Sequence, residues 1–216
     1  MAHSTPNGET RQEILRAALK RFALGGYAAT SVQQIVDDAK VSKPALYYYF
    51  KDKAELFQAL VNEAHDGRFQ RMQEAATRGR TVRGQLVEIL AVLFDYFRDN
   101  RELMRISLAT AFASPGEGPA GFDCTARCER NFEFVHTLIK QGLARGELDA
   151  HFDSRKLAFG FYGQANAYLM LHLLTADTPL DRALAERIVD LFFSGAGAKP
   201  RPPSRARKKS ISRKLL

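Results

Sequence analysis

Four adjacent aromatic residues, Tyr47 to Phe50, lie in the segment VSKPALYYYFKDKAEL at positions 41–56. A helix that only packs on a core spaces its apolar residues three or four apart, so a run of four points all the way round. Some of these rings must therefore face something other than the protein's own core. Tyrosine suits such a boundary, because its ring can pack while its hydroxyl donates to a phosphate oxygen. The residue types predict contact with nucleic acid.

Two short helices must position these side chains. The segment TSVQQIVDDA predicts the first, with Thr30 or Ser31 as its N-cap. The segment SKPALYYYF predicts the second, which begins at Ser42 and tolerates Pro44 in its first turn. The short turn between them is typical of a helix-turn-helix, whose second helix lies in the major groove of DNA. The alternative, a purely core-packing helix, is disfavoured because so short a helix cannot bury four adjacent aromatic rings.

Apolar residues recur at helical spacing along the rest of the chain, and no segment alternates apolar and polar residues as a half-buried strand would. The predicted helices run from Thr10 (in a capping box with Glu13) to Gly25 and Gly26, from Asp52 through Ala64, from about 81 through Phe97, over 102–112, about 122–145, about 154–175 and 179–195. The predicted fold is all-α, with about nine helices.

Composition excludes several classes of protein. Hydrophobic residues make up 45% of the 216 and charged residues 26%, as in ordinary folded domains. No apolar run approaches the roughly 20 residues of a membrane helix, and MAHSTPNGETRQE lacks the apolar centre of a signal peptide. A cytoplasmic protein without a membrane partner is therefore expected. No nucleophile–base pair, glycine-rich phosphate loop or acidic metal cluster is recognisable, so neither enzymatic activity nor a cofactor is expected.

The net charge of +8 resides in the C-terminal segment 199–216. This segment holds eight Lys or Arg and no acidic residue, and subtracting them from the total of 32 leaves 24, equal to the 24 acidic residues. A segment so basic and so rich in Pro and Ser cannot bury enough apolar surface to fold alone, so a disordered tail is expected. Two hypotheses remain open for it: a solubilising tail, or an arm that adds sequence-independent attraction to phosphates.

Residues 9–60 resemble the TetR family of transcriptional regulators. The likeness is carried by TSVQQIVDDAKVSKPALYYYFKDKAEL at 30–56 and by the preceding helix, which ends in RFALGGYAATS. It implies a helix-turn-helix domain at 9–53 that binds double-stranded DNA. The resemblance and the side-chain chemistry together assign to this DNA-binding surface Thr30, Ser31, Gln33, Lys40, Ser42, Lys43, Pro44, Ala45, Tyr47, Tyr48, Tyr49 and Lys53.

Two of these positions depart from the family's pattern. Lys40 stands in the turn where the family commonly has glycine, and if its φ is positive, lysine costs roughly 1 kcal/mol that glycine would not. Its charge could offset this cost by meeting a phosphate. Tyr49 stands where the family often has histidine, and it keeps a hydrogen-bonding tip. Both departures concern the details of the DNA contact.

The resemblance also implies that residues 54–195 form a ligand-binding and dimerisation domain, with 54–75 as a connecting helix. Small residues along one face of the helix at 154–175 let another helix approach closely, which independently favours a homodimer. The predicted interface comprises Gly160, Gly163, Ala167, Ile188, Leu191 and Phe192. The predicted ligand-binding residues are Met104, Phe112, Phe132, His136, Tyr162, Gln164, Asn166, Tyr168 and His172, although each polar one could instead be a satisfied core group.

Cys124 and Cys128 lie one helical turn apart and cannot make a disulfide framework. A thiol sensor or half a metal site is an alternative, but no histidine or further cysteine stands at a ligand spacing nearby, so ordinary reduced cysteines and no metal site are expected.

The leading functional hypothesis is a ligand-responsive dimeric regulator, a repressor rather than an activator, which binds a palindromic operator. A small, mainly hydrophobic effector would release it from DNA. The alternative is a DNA-binding dimer without a small-molecule ligand.

Overall fold

The structure is a computed structural model that describes residues 6–111, 119, 122, 124–175 and 179–196. The tail at 199–216 and the pocket candidate Phe112 lie outside the described residues.

Nine α-helices and no strand occur in this described part of the chain, which confirms the all-α prediction. The helices are α1 (Pro6–Ala29), α2 (Val32–Ala39), α3 (Lys43–Tyr49), α4 (Lys53–Ala76), α5 (Val82–Asp99), α6 (Arg101–Ala111), α7 (Thr125–Ala144), α8 (Ser154–Thr175) and α9 (Arg182–Ala196). None of these helices combines the length and the hydrophobicity needed to span a bilayer.

The first helix differs from its prediction at both ends. α1 begins at Pro6, so Thr10 lies inside the helix and does not cap it. Proline is tolerated in a first turn because the N–H that it lacks would have no helical partner there. At the other end Gly26 has φ 75° and ψ 172°, which breaks the helical backbone where the glycine pair was predicted to end it. One more turn then follows, to Ala29.

Side-chain caps fix where the next helices begin. Ser31 Oγ accepts a hydrogen bond from the Gln34 N–H at 3.2 Å, and the Gln34 side chain accepts one from the Ser31 N–H at 2.8 Å, which is a capping box. Asp52 Oδ1 accepts from the Glu55 N–H at 2.8 Å at the start of α4. These caps satisfy N–H groups that a helix end leaves unpaired, so they hold the register of α2 and α4.

One continuous apolar core joins the N-terminal helices to the others. α1 packs against α2, α3, α4 and α6, while α4 also packs against α5 and α7. α5 packs against α9, and α8 packs against both α7 and α9. The ring of Phe57, on α4, is fully buried and lies 5.0 Å from that of Phe22 and 5.2 Å from that of Tyr27. α4 is therefore the element that connects α1–α3 with the larger group of helices.

Candidate nucleic-acid interface and internal cavity

The aromatic run on α3 divides between two environments. Leu46 and Phe50 are buried in the core, whereas Tyr47 and Tyr48 are 49% and 73% exposed. Tyr49 is half-buried, and its ring packs edge-on against Tyr48 at 5.0 Å between centroids. Helical geometry separates a core side from a solvent side, and tyrosine can pack its ring while its hydroxyl remains available to a phosphate. α3 therefore presents an aromatic and polar surface outward.

The first turn of α3 adds basic and small residues to this surface. Lys43 and Pro44 are exposed, and Ala45 is half-buried. Ser42 Oγ accepts from the Ala45 N–H at 3.3 Å and so begins the helix. On α2 the exposed Gln33 donates its amide to Asp37 at 2.7 Å. Because the amide nitrogen carries two N–H donors, this bond leaves one donor of Gln33 for a base.

Lys40, in the turn between α2 and α3, has the left-handed backbone that its position suggested. Its φ is 55° and its ψ is 39°, and it is the one residue other than glycine with positive φ among those described. Its N–H donates to the Asp37 carbonyl, and the next N–H, that of Val41, donates to Val36 at 3.0 Å. The turn therefore closes α2 with the backbone pattern that favours glycine.

The variant Lys40→Gly is expected to raise the free energy of unfolding by about 0.5–1 kcal/mol. Relief of the left-handed strain exceeds the extra conformational freedom that glycine gives the unfolded chain. Urea denaturation measures the change. Gln33→Gly, at an exposed site inside α2, is the matched control and should lower stability by about 1 kcal/mol. Equal losses from both glycine variants would contradict strain at Lys40.

The side chain of Thr30, which the resemblance assigns to phosphate binding, is turned toward the protein. Thr30 is buried, and its hydroxyl donates to the carbonyl oxygens of Gly26 at 2.8 Å and Arg21 at 3.2 Å. The hydroxyl is thus already used inside the fold, while the assignment of Thr30 to the DNA-binding surface stays a prediction. Ser31, its neighbour, is exposed and remains part of the candidate interface.

Lys53 holds the end of α1 onto the start of α4. Its Nζ donates to the carbonyl oxygens of Tyr27 at 2.9 Å and Thr30 at 2.8 Å, and it lies 4.3 Å from the centre of the Tyr27 ring. Burial lowers the pKa of the Lys53 ammonium because the charged form loses hydration. In this structure Lys53 positions α1 relative to the helix-turn-helix, and its assignment to phosphate binding stays a prediction.

A cavity of about 350 Å³ lies among α4, α5, α6, α7 and α8. Its lining is mainly apolar and consists of His65, Arg68, Phe97, Met104, Ser107, Leu108, Cys124, Cys128, Tyr162, Asn166, Leu169 and Met170. A smaller chamber of about 40 Å³ shares five of these residues and extends toward Met72 and Leu90 in the core. An apolar cavity with a few polar groups is typical of a small-molecule site.

Three of the predicted ligand-binding residues, Met104, Tyr162 and Asn166, line the cavity. The others within the described residues, namely Phe132, His136, Gln164, Tyr168 and His172, are absent from its lining. His136 fits the alternative of a satisfied core group, because its two ring nitrogens bond to Glu133 and Ser154, each at 3.0 Å. Three of the eight predicted ligand-binding residues that the structure describes thus line the cavity, and the role of all eight in ligand binding stays a prediction.

The polar wall of the cavity comes from α4, which the sequence indicated only as a connecting helix. Arg68 Nη2 donates to His65 Nδ1 at 3.0 Å, and the buried Arg68 Nε has no hydrogen-bond partner among the described residues. Burial, reinforced by the positive charge of Arg68, lowers the pKa of His65 to about 4, so the imidazole is neutral at pH 7. The sequence signal that could have revealed this polar wall is a His and an Arg one turn apart inside an otherwise apolar stripe.

A histidine from another helix lies beside the two cysteines, and it is too far away in the sequence for their spacing to indicate it. His65, on α4, brings a ring nitrogen within 4.8 Å of the sulfur atoms of Cys124 and Cys128. The two sulfur atoms are 3.9 Å apart and are not joined in a disulfide. The expectation that no histidine accompanies this pair is therefore corrected.

The predicted dimer interface divides into exposed and internal residues. Gly160, Gly163 and Ala167 are exposed on α8, and no neighbouring atom lies within 4 Å of a Cβ built at either glycine. Leu191, on α9, is also exposed. By contrast Ile188 and Phe192 are buried within this chain, the latter with its ring 5.5 Å from that of Phe161, which corrects their assignment as surface contacts.

Comparison with known proteins supports the identity of the fold and of the N-terminal helices. The profile described as "Bacterial regulatory proteins, tetR family" matches residues 14–60. The HTH-type transcriptional activator FasR from Mycolicibacterium smegmatis is 31% identical over 196 residues, which cover 90% of this chain and 86% of FasR. The uncharacterized HTH-type transcriptional regulator YuxN from Bacillus subtilis is 34% identical over 100 residues, or 46% of this chain and 34% of YuxN. The match thus spans only about a third of YuxN's length.

Solved structures share the fold over most of the chain. The transcriptional regulator FadR from Bacillus subtilis, solved in complex with stearoyl-CoA, has a TM-score of 0.70 at 19% identity, with 85% of this chain and 98% of that chain covered. The fatty acid degradation regulator FadR from Bacillus halodurans has a TM-score of 0.70 at 16% identity, with 90% and 98% covered. Together with the full-length similarity to FasR, these findings show that the chain belongs to the TetR family of transcriptional regulators, in which α2 and α3 form the DNA-binding helix-turn-helix.

Proposed function

We propose that this protein is a dimeric, ligand-responsive regulator that binds a palindromic operator and leaves it when an effector occupies the internal cavity. In this proposal residues 9–53 bind DNA, 54–195 bind the effector and the second protomer, and 54–75 connect the two functions. The observation that carries the proposal is the course of α4. This helix begins next to the recognition helix α3 and, farther along, supplies His65 and Arg68 to the cavity wall.

A displacement of α4 would move the N-terminal helices with it. Lys53 bonds to the end of α1, and Phe57 packs against Phe22 and Tyr27, so the first turns of α4 are fixed to α1. The two recognition helices of a dimer must stay about 34 Å apart, or a multiple of that, to reach successive major grooves. A hundredfold release from DNA needs a coupling of roughly 2.7 kcal/mol, which only an effector that binds the two shapes differently can supply.

The chemistry of the cavity favours an amphiphilic effector with an acidic or carbonyl head. Its lining is mostly apolar, and the smaller chamber offers room for an alkyl group. Arg68 lines this cavity, and its guanidinium offers N–H donors to a carboxylate or thioester oxygen. The binding of stearoyl-CoA by the structurally similar FadR supports this class of ligand.

The exposed face of α8 is our candidate for the dimer contact. Gly160, Gly163 and Ala167 leave room for a second helix, and Leu174 of the same helix is 77% exposed. Large exposed apolar residues beside a glycine-lined face favour burial against a partner. A two-fold dimer matches a palindromic operator because each protomer then reads one half-site.

The direction of regulation is a separate part of the proposal. Release from DNA relieves repression where the operator overlaps a promoter, and we keep repression as our prediction. FasR, which aligns over 90% of this chain, is named an activator, so whether this protein represses or activates transcription must be measured on a promoter.

Selection from a random DNA pool tests the proposal first, with the full chain and a version ending at Ala198. Both are expected to enrich one palindrome, while the shorter version binds all DNA more weakly and with a flatter salt dependence. Long-chain fatty acids and acyl-CoAs should then release the enriched duplex, whereas a long-chain alcohol, which lacks the acidic head, should not.

The variant Arg68→Met is the matched test of the effector site. It should bind DNA normally but need at least about tenfold more acid for release, because a charged hydrogen bond is lost. Equal release by acid and alcohol would contradict a role for Arg68. Specific DNA binding that no ligand of the panel changes would favour the dimer without a small-molecule effector.

A further inference from the structure

We propose that His65, Cys124 and Cys128 bind a thiophilic divalent cation of the Zn²⁺ type in the wall of the internal cavity. The site is built from two distant parts of the chain. Cys124 lies at the N-cap of α7 and Cys128 lies in its first turn, while His65 comes from the middle of α4. The donor atoms of all three side chains lie within 4.8 Å of one another.

The distance between the two sulfur atoms fits one shared ion. With Zn–S bonds of about 2.3 Å and tetrahedral angles, two thiolates on one ion are about 3.8 Å apart. Cys124 Sγ and Cys128 Sγ are already 3.9 Å apart. Thiolate and imidazole together form the donor set that Zn²⁺ and related soft ions select. Three protein ligands leave a fourth position, which water or a donor atom of the effector could occupy.

The ion and its three ligands together carry no net charge. Each thiol loses its proton to solvent on binding, so one divalent ion, two thiolates and a neutral imidazole sum to zero, and two protons are released. Arg127 and Arg130 lie near His65, and both guanidinium groups contact the single carboxylate of Asp66, at 3.5 and 2.7 Å, so these three side chains together keep a charge of +1. Among the described residues Arg68 is a further cation near His65, and it lines the same cavity.

Arg68 must compete with the ion for His65. A guanidinium can only donate, so its bond to His65 Nδ1 occupies the lone pair of that nitrogen and leaves the ring proton on Nε2. An ion must therefore displace Arg68 from Nδ1, or bind Nε2 after the ring proton has moved to Nδ1, where it would meet the Arg68 donor. In both cases Arg68 has to leave before the metal binds. The variant Arg68→Gln is therefore expected to bind the ion more tightly than the wild type.

Such an ion would tie α4 to α7. α4 carries the connection to the DNA-binding helices, so a bridge at His65 restrains the helix on which the proposed release from DNA depends. The inference itself rests on the three donors and does not need the effector hypothesis. Its test accordingly measures metal binding directly, so that it can fail or succeed independently of DNA recognition.

The experiment titrates Co²⁺ into the reduced, metal-free full chain and then displaces it with Zn²⁺. One Co²⁺ per chain should bind with thiolate-to-cobalt charge-transfer absorption, and calorimetry of Zn²⁺ binding in buffers of different ionisation enthalpy should report close to two released protons. Cys128→Ser should abolish the absorption, and His65→Gln should weaken binding at least about tenfold. His151→Gln, at an exposed histidine outside the site, is the control and should bind as the wild type does.

A measurement on the wild-type protein keeps the proposal testable even if the ligand variants fail to fold. Zn²⁺ should slow the labelling of both cysteines by a thiol reagent, and Arg68→Gln should lower the Zn²⁺ concentration needed. The proposal is overturned if the reduced wild type shows no charge-transfer absorption, if the absorption survives Cys124→Ser with Cys128→Ser, or if Zn²⁺ leaves labelling unchanged. Formation of a Cys124–Cys128 disulfide under peroxide by a chain that binds no metal would instead indicate a redox pair.

Discussion

Replacement of Lys43 and Tyr48 by alanine together will lower the affinity for the selected operator by about 100-fold or more. Each contact to a base or phosphate contributes about 1–3 kcal/mol, and both side chains are exposed on α3. The stability of the folded chain should fall by only about 1 kcal/mol, because the main internal interaction that the double variant removes is the edge-on packing of Tyr48 against Tyr49. Fluorescence anisotropy with the operator and with a scrambled duplex measures both affinities.

The two single variants separate the roles of the side chains. If Lys43 reads a base, Lys43→Ala should reduce the preference for the operator over the scrambled duplex, whereas removal of a phosphate contact weakens both alike. Lys140→Ala, at an exposed lysine on α7, is the control and should leave the affinity within about twofold. Unchanged operator binding by the double variant would remove α3 as the recognition helix.

The variant Phe57→Ala will lower the free energy of unfolding by about 3–5 kcal/mol. Its ring is fully buried and contacts the rings of Phe22, Tyr27 and Phe122 at 5.0–5.8 Å, so truncation leaves a large cavity where α4 meets α1. A typical domain has only about 5–15 kcal/mol of stability, so this decrease is a large fraction of the total. Urea denaturation followed by circular dichroism measures it.

Two further substitutions test this explanation: one that retains most of the volume of the Phe57 side chain, and one at an exposed residue. Phe57→Leu retains most of the apolar volume and should cost less than half as much as alanine. Leu24→Ala, at a residue of α1 that is 76% exposed, should change the stability by no more than about 0.5 kcal/mol. Operator affinity, measured at 10 °C once circular dichroism shows that Phe57→Ala is folded there, should also fall, because Phe57 fixes α4 against α1. A decrease below about 1.5 kcal/mol for Phe57→Ala would contradict its place at the centre of the core.

The sequence alone determined the helices and the DNA-binding motif, because both depend on residues close together in the chain. The capping residues Ser31, Ser42 and Asp52 begin their helices where predicted, and helical periodicity separated the buried Leu46 from the exposed Tyr48. The left-handed turn at Lys40 lies where the family resemblance places a glycine. Such features are set by backbone geometry and neighbouring side chains, so a single segment carries the information.

Only the tertiary structure decided which distant groups meet. Thr30 and Lys53 carry polar groups suited to phosphate, yet the fold uses both on backbone carbonyls at the end of α1. His65 and Arg68 stand one turn apart on a helix that the sequence indicated only as a connection, and packing alone places them beside the cysteines of α7. An apolar stripe indicates that a helix is buried. It does not indicate which helix covers it, because the hydrophobic effect is non-directional. Contacts across the cavity therefore follow from the shape and volume of the packed helices, which no single segment encodes.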